Sequence, residues 1–314
     1  MKLTIAIPTY NRSFFLDNNL KQLLKEYDDN FEIIIQDNAS NDKTYEIVEK
    51  YIKLGLPINY ERNLTNLGWT KNFEICFKKA KTKYMILLGD DDIIVNGGVN
   101  VILNNINEYT PDLIFMNAFS IKNYNKEYYA LKNNSQQFNL EDFLCETILQ
   151  FRLISSYVIN TEYINKVKVF SGNFAHLHVI LESLSRGEKF IKINNKLIGT
   201  FKNNSDFDHK VNFSDVYVKE FFELFRSYLK NKVSKSLMIR IENIMLKKYL
   251  PKLILKSRFG LIKKDDLISL NFDLIFDKNN YYKNYRYYFV NKNLYSLSIL
   301  AVTLFINLLK YKKS

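Results

Sequence analysis

The chain has 314 residues, 47% hydrophobic and 25% charged, a globular composition long enough for one large domain or for a domain of about 200 residues with an accessory piece. Its net charge of +12 is lopsided: residues 1–200 carry 23 Lys+Arg against 23 Asp+Glu and residues 201–314 carry 22 against 10, so the last third suits an anionic surface such as a bilayer or a lipid-linked phosphate. No arginine-rich tract, zinc-finger spacing or RRM-type aromatic motif argues for nucleic acid, and Cys76 and Cys145, far apart and outside any CxxC pattern, fit a reducing compartment.

The opening MKLTIAIPTYNR has an apolar run too short for a signal-peptide core, interrupted at Pro8, which argues against secretion. LTIAI (3–7) reads as a strand, and Phe15, Leu16, Leu20, Leu23 and Leu24 then recur at helical spacing. FEIIIQD (31–37) is a second strand, and DKTYEIVEKYIKLG (42–55) a helix that starts near a carboxylate and stops at Gly55. INYERN is a third strand, TKNFEICFKKA a third helix, and KYMILLGD a fourth strand apolar enough to be buried on both faces. Such alternation predicts a parallel sheet covered by helices.

Beyond the Asp90, Asp91, Asp92 triplet, GGVNVILNNINEY reads as helix and DLIFMNAF as strand, while residues 121–138 are polar and lack a period. LEDFLCETIL is a helix and ISSYVIN a strand. NFAHLHVILESLSRG is a helix with Leu177, Ile180, Leu181 and Leu184 on one face, Asn173 as cap and Gly187 as stop. KFIKINNKLIGTF closes a first domain, residues 1–205, and residues 206–314 form a helical, basic region. Its end, LYSLSILAVTLFINLLKYKKS, is short of the roughly 20 apolar residues of a spanning helix; an interfacial anchor and a buried terminal helix remain equally open.

In α/β sheets ligands bind beyond the carboxyl ends of the parallel strands. PTYNR, QDNASND and GDDD all fall at such ends. Adjacent carboxylates at the end of a buried strand suit a hard divalent cation, Mg²⁺ or Mn²⁺, which takes oxygen ligands and bridges phosphates; alone, the triplet reads equally well as a solvated acidic turn. Asp37 offers only acceptors and so suits the N3–H of uracil or thymine, or else belongs to an Asx-rich turn entering a helix.

IAIPTYNR, IIIQDNASNDKT, NLTNLGWTKNF and LLGDDDII, in this order and spacing, resemble glycosyltransferase family 2, in particular its abequosyltransferase-like branch, over residues 2–200. The resemblance implies a GT-A fold, a Rossmann-like α/β nucleotide-diphospho-sugar transferase domain, followed here by a mainly helical extension. It implies an inverting, metal-dependent transfer from a nucleotide sugar to a glycan or lipid-linked glycan, at the cytoplasmic face of a membrane that the basic last third would contact. By it, Pro8, Thr9, Tyr10, Arg12 and Asn38 line the donor pocket, and Asp37 meets the base. Asn66, Gly68 and Lys71 lie near the diphosphate, and the triplet is the metal and ribose site, with Asp91 or Asp92 as the direct metal ligand, Asp90 beside the ribose or supporting those ligands, and Asp90 and Asp91 counted with the donor pocket.

The chain departs from that pattern in two places. Aligning the last two carboxylates of the relatives' Asp-x-Asp-Asp puts Gly89 at the first position, and where relatives carry a Glu-Asp base pair this chain has AHLHVILESLSRG. Counting back from Gly187 puts His176 at the base, and a neutral imidazole is competent there. The dipole at the first turn of a helix would keep it neutral. His178, predicted on the other side of that helix, and Glu182, predicted to point away from its apolar face, are the fallbacks. His176 and His178 diverge by about 200° on a helix and would not share an ion. A sugar nucleotidyltransferase is disfavoured by the lack of a Gly-rich basic loop after strand one, whereas a non-catalytic GT-A-fold scaffold is kept in play by the missing Glu-Asp.

Overall fold

The computed structural model describes residues 2–201 except Asn125 and Arg152, residues 220–258, and Asn279 and Lys283. It divides into two compact units, Met1–His209 with Ser227–Lys232, and Lys210–Arg226 with Val233–Ser314.

The first unit is a sheet with helices packed on it. Its strands are β1 (Leu3–Thr9), β2 (Phe31–Asp37), β3 (Ile58–Arg62), β4 (Tyr84–Leu87), β5 (Asp92–Ile94), β6 (Leu113–Ile121), β7 (Ser135–Phe138), β8 (Tyr157–Asn160) and β9 (Phe190–Phe201). The helices are α1 (Ser13–Glu26), α2 (Thr44–Lys53), α3 (Trp69–Lys79), α4 (Gly98–Tyr109), α5 (Leu140–Thr147), α6 (Thr161–Ile164) and α7 (Ala175–Arg186). The strand order is β3-β2-β1-β4-β8-β6-β9-β5, with β7 added against β9. β1 is buried along its whole length, as is β4, the expected condition of a strand covered by helices on both faces. The core gathers Ile5, Ile7, Ile33, Ile35, Ile86 and Leu88 with Leu16, Leu20 and Leu23 of α1.

Register sets the site. β1 pairs β2 in parallel with Thr9 opposite Asp37, and pairs β4 in parallel with Ala6 opposite Leu87. Three residues past that last pair, beyond the end of β4, Asp90 lies within hydrogen-bond reach of Thr9. The carboxyl edge therefore carries Asp37, Thr9 and Asp90 in a row.

Several expectations are corrected. The sheet is mixed: β8 runs antiparallel to both β4 and β6, and β9 is parallel to β6 but antiparallel to β5 and β7. An apolar run buried on both faces looks the same in either direction, so periodicity cannot give polarity. β7 lies inside the segment that lacked a period; SQQF is polar and held by backbone pairing to β9. The N-cap of α7 is Phe174 without a side-chain cap, in place of Asn173. Nor is α7 one-sided: every residue from Ala175 to Leu184 is buried, because the helix packs on α3, α6, β6 and β8.

In the remaining described stretch, α8 (Phe221–Leu229) and α9 (Lys235–Arg258) bear out the helical character expected of the last third. Within the second unit, Arg226 Nη2 pairs with Glu242 Oε1 at 2.5 Å. Among the described residues no helix is long and apolar enough to cross a membrane; the apolar stretch 294–314 lies outside them.

Candidate active site

The acidic triplet turns at the end of β4, and a cation does meet it. The Arg12 guanidinium forks across two carboxylates, Nη1 to Asp90 Oδ1 at 2.9 Å and Nη2 to Asp91 Oδ2 at 2.8 Å, and rests over the Phe15 ring at 4.8 Å. Thr9 Oγ1 donates to Asp90 Oδ2 at 2.9 Å. Tyr124, stacked on Phe201 with centroids 4.6 Å apart, donates its hydroxyl to the Asp91 carbonyl at 2.8 Å. Behind the turn, Ser155 Oγ accepts the Gly89 N–H at 2.9 Å and donates to Asp92 Oδ2, and Asn19 Nδ2 donates to the carbonyls of Gly89 and Asp92 at 3.1 and 2.8 Å.

Asp90 and Asp92 are buried while Asp91 keeps a quarter of its side chain exposed. Burial pushes Asp90 up to about 7 against the pull of Arg12. It pushes Asp92 to about 8, with repulsion from Asp91 added and the Ser155 hydroxyl opposing. Burial thus opposes ionisation most at Asp92, the member the fork does not touch, which keeps its proton at neutral pH when no cation is bound.

Asp91 Oδ1 and Asp92 Oδ2 crowd the open side of Gly89, where a Cβ would lie 3.2 and 3.0 Å from them. A hard divalent ion is commonly held by one or two carboxylates, with phosphate and water completing the shell, so this pair of oxygens fits such an ion. Among the described residues no group of three or more His, Cys, Asp or Glu side chains makes a fuller cage. A side chain at Gly89 would crowd these oxygens and have to displace them by a few tenths of an ångström.

On the β2 side, Asp37 is buried, with Oδ1 accepting the Ser40 N–H and Oδ2 the Tyr60 hydroxyl, both at 2.8 Å. Asn38 anchors the chain between β3 and α3: its Oδ1 accepts from Asn63 Nδ2 and the Leu67 N–H, both at 2.9 Å, and its Nδ2 donates to Asn66 Oδ1 at 2.7 Å. Asn63 also donates to Asn72 Oδ1 at 3.0 Å and accepts from Gln36 Nε2 at 2.9 Å. Gly68 holds φ +79° at the N-cap of α3, a left-handed value that a side chain would strain. Pro8 is buried in β1 and Tyr10 is 43% exposed. Lys71 reaches Glu74 at 3.0 Å on the exposed face of α3.

α7 holds the three base candidates. His176 is buried, its Nε2 lying 3.2 Å from the Phe151 carbonyl, so Nε2 carries the hydrogen and Nδ1 the lone pair. Nδ1 is buried without a hydrogen-bond partner. Burial lowers the imidazole to about 4, so it is neutral as expected, with desolvation as the main cause. His178 is engaged at both nitrogens, Nδ1 with the Tyr228 hydroxyl at 3.0 Å and Nε2 with the Ser171 carbonyl at 3.3 Å. Glu182, expected on an open face, is buried and paired with Arg186.

The structure therefore brings Thr9, Arg12, Asp90 and Asp91 together, and Asn38 with Asn66, while Lys71 stays with its helix neighbour. Sequence reasoning missed Asn19, Ser155, Tyr124, Asn63 and Asn72. Asn19 left one signal: it sits among Leu16, Leu20 and Leu23 at core spacing, where a polar residue needs a partner.

Comparison with known proteins follows from this geometry. The family described as Glycosyl transferase family 2 matches residues 4–168. Abequosyltransferase RfbV of Salmonella typhimurium is 32% identical over 105 residues, 32% of this chain and 32% of that protein. The poly(ribitol-phosphate) beta-N-acetylglucosaminyltransferase TarS of Staphylococcus aureus is 29% identical over 120 residues, 37% of this chain and 21% of that protein. A TarS crystal structure with UDP-GlcNAc aligns at TM-score 0.68 and 17% identity, covering 84% of this chain and 77% of the other. The mannosyltransferase PcManGT from Pyrobaculum calidifontis, solved with GDP-Man and Mn²⁺, aligns at TM-score 0.54 and 11% identity, covering 96% and 86%. The matched sequence spans a third or less of RfbV and TarS, and the structural likenesses establish a common GT-A-type fold.

Proposed function

The chain belongs to glycosyl transferase family 2, and on that premise we propose that it moves a sugar from a nucleoside diphosphate donor, UDP or dTDP, to a hydroxyl of a glycan or lipid-linked glycan, with inversion. The observation that carries this reading is the convergence of Thr9, Arg12 and the acidic triplet at one sheet edge, in register with Asp37.

Asp37 keeps lone pairs beyond those taken by Ser40 and Tyr60 and would accept the N3–H of uracil or thymine. Pro8, Tyr10 and Asn38 would border the nucleoside, and Asp90 the ribose. Arg12, the Gly68 N–H, Asn66 and Lys71, once released from Glu74, would meet the diphosphate. Asp91 and Asp92 would hold Mn²⁺ or Mg²⁺, which as a Lewis acid would neutralise charge on the leaving diphosphate.

His176 is the base in this reading, because of the three α7 candidates it alone has a ring nitrogen with an open lone pair. The acceptor oxygen forms its bond to the anomeric carbon as the bond to the diphosphate oxygen breaks. The electron pair leaves on the diphosphate, and the acceptor proton passes to Nδ1 of His176. The basic last third would hold the enzyme at the cytoplasmic face of a membrane or against a lipid diphosphate. The burial of His176 favours a second reading, a donor-binding protein without transfer.

A thermal-shift screen of UDP, dTDP, GDP and CDP with and without Mn²⁺, paired with an assay for sugar transfer, tests both readings. UDP or dTDP should raise the melting temperature, and more so with Mn²⁺. Binding without turnover on any acceptor would support the second reading. Pyrophosphate release from a nucleoside triphosphate, or no response to any nucleotide, would reject the first.

A further inference from the structure

Residues 63–69, between β3 and α3, form a loop built inside out. Asn63 and Asn66 turn their amides onto Asn38, and the Leu67 N–H is tied to Asn38 Oδ1. The apolar side chains point the other way: Leu64 is 100% exposed, Leu67 46% and Trp69 41%. A single exposed leucine is ordinary. Three large apolar groups within six residues, on a backbone fixed from behind by amide hydrogen bonds, make a rigid apolar prow that needs little further ordering to bind.

Its surroundings select the partner. Over residues 61–79 the cations Arg62, Lys71, Lys78 and Lys79 outnumber Glu61 and Glu74; Lys71 and Lys78 share Glu74 and Lys79 pairs with Glu61, so the segment that carries the apolar tip keeps an excess of positive charge. Apolar insertion combined with attraction to anionic headgroups is the physical basis of interfacial membrane binding, and tryptophan favours that boundary. We propose that Leu64, Leu67 and Trp69 insert into the interface of an anionic phospholipid bilayer. The loop springs from the same sheet edge as Asp37 and Asn38, so insertion holds that edge at the lipid surface. This contact is separate from any made by the basic last third and does not depend on the transfer chemistry.

Trp69 is the one tryptophan of the chain, so its emission reports the loop directly. The full-length protein is titrated with phosphatidylglycerol/phosphatidylcholine vesicles, and Trp69 is expected to shift to the blue and to be quenched by brominated lipid, more weakly with phosphatidylcholine alone. Leu64→Ser, at a position where nothing is packed, is expected to lower vesicle partitioning about tenfold with unchanged melting temperature. Vesicle sedimentation without an emission change would place binding on another surface and overturn the proposal, as would no sedimentation. The titration is run without nucleotide, and a blue shift that grows with protein concentration in the absence of vesicles would assign the prow to a second copy of the chain and overturn the proposal.

Discussion

Replacing Asp92 by asparagine should make the metal-free protein more stable. Asp92 is 5% exposed, its recorded side-chain partner is the Ser155 hydroxyl, and Arg12 is spent on Asp90 and Asp91. An unfolded Asp loses its proton near 3.8, whereas the folded one keeps it up to about 8. Between those limits the native state binds more protons than the unfolded state, so stability falls as pH rises through this window. At pH 7.5 the full gap corresponds to about 5 kcal/mol at 1.36 kcal/mol per unit, and to roughly half that once the repulsion shared with Asp90 is allowed for. Asn is nearly isosteric, can accept the Ser155 hydrogen through its Oδ1, and has no charge to bury. Urea unfolding of the wild type and Asp92→Asn without divalent ions, from pH 4 to 8.5, should show no difference at the acid end and a variant more stable by about 2–5 kcal/mol at the alkaline end. Mn²⁺ with UDP should stabilise the wild type and not the variant. A variant less stable at every pH, or a gap that does not change with pH, would refute the idea that burying an ionisable carboxyl at Asp92 costs the metal-free protein stability.

His176 works in the opposite direction. Its folded value lies near 4 and its unfolded value near 6.5, so stability is lost as pH falls across that interval, by up to about 3 kcal/mol; His176→Gln should flatten this acid arm in urea titrations and, if the imidazole is the base, cut turnover about 10²–10⁴-fold while donor binding persists. Arg12→Lys keeps the charge but cannot fork across two carboxylates, and should cost about 1–2 kcal/mol in chemical denaturation because Asp90 is left buried with a poorer partner. Asn63→Ala strips a donor from the buried Asn72 as well as from Asn38, so a loss of about 2 kcal/mol with weaker nucleotide binding by calorimetry is expected. Gly89→Ala should leave folding largely intact and weaken Mn²⁺ binding, read by electron paramagnetic resonance, since the added methyl would sit 3.0 Å from Asp92 Oδ2.

The readable parts of the fold were those with strong local signals. β1, β2 and β4 are apolar runs bounded by polar clusters, and β2 spans Phe31–Asp37 as its composition predicts. β7 is SQQF and carries no hydrophobic pattern, and β5 is apolar but only three residues long, too short for a period; backbone pairing to β9 defines both. The burial of α7 was likewise illegible. A leucine face predicts one packed side, whereas neighbours on several sides bury His178 and Glu182 as well.

The acidic triplet was legible as a site because an apolar strand ending in three carboxylates is costly unless something positive arrives. What arrives was not legible: Arg12 lies 78 residues before Asp90 and Ser155 lies 63 beyond Asp92. The amino-acid sequence determined the main strands and helices and which strand ends carry chemistry, since those follow from local periodicity and composition. The tertiary structure decided which side chains meet there, which carboxyl group Arg12 leaves unpaired and which histidine nitrogen stays open. Those depend on strand register, on the direction of β8 and on the depth of burial, and none of them is a property of a residue and its near neighbours in the chain.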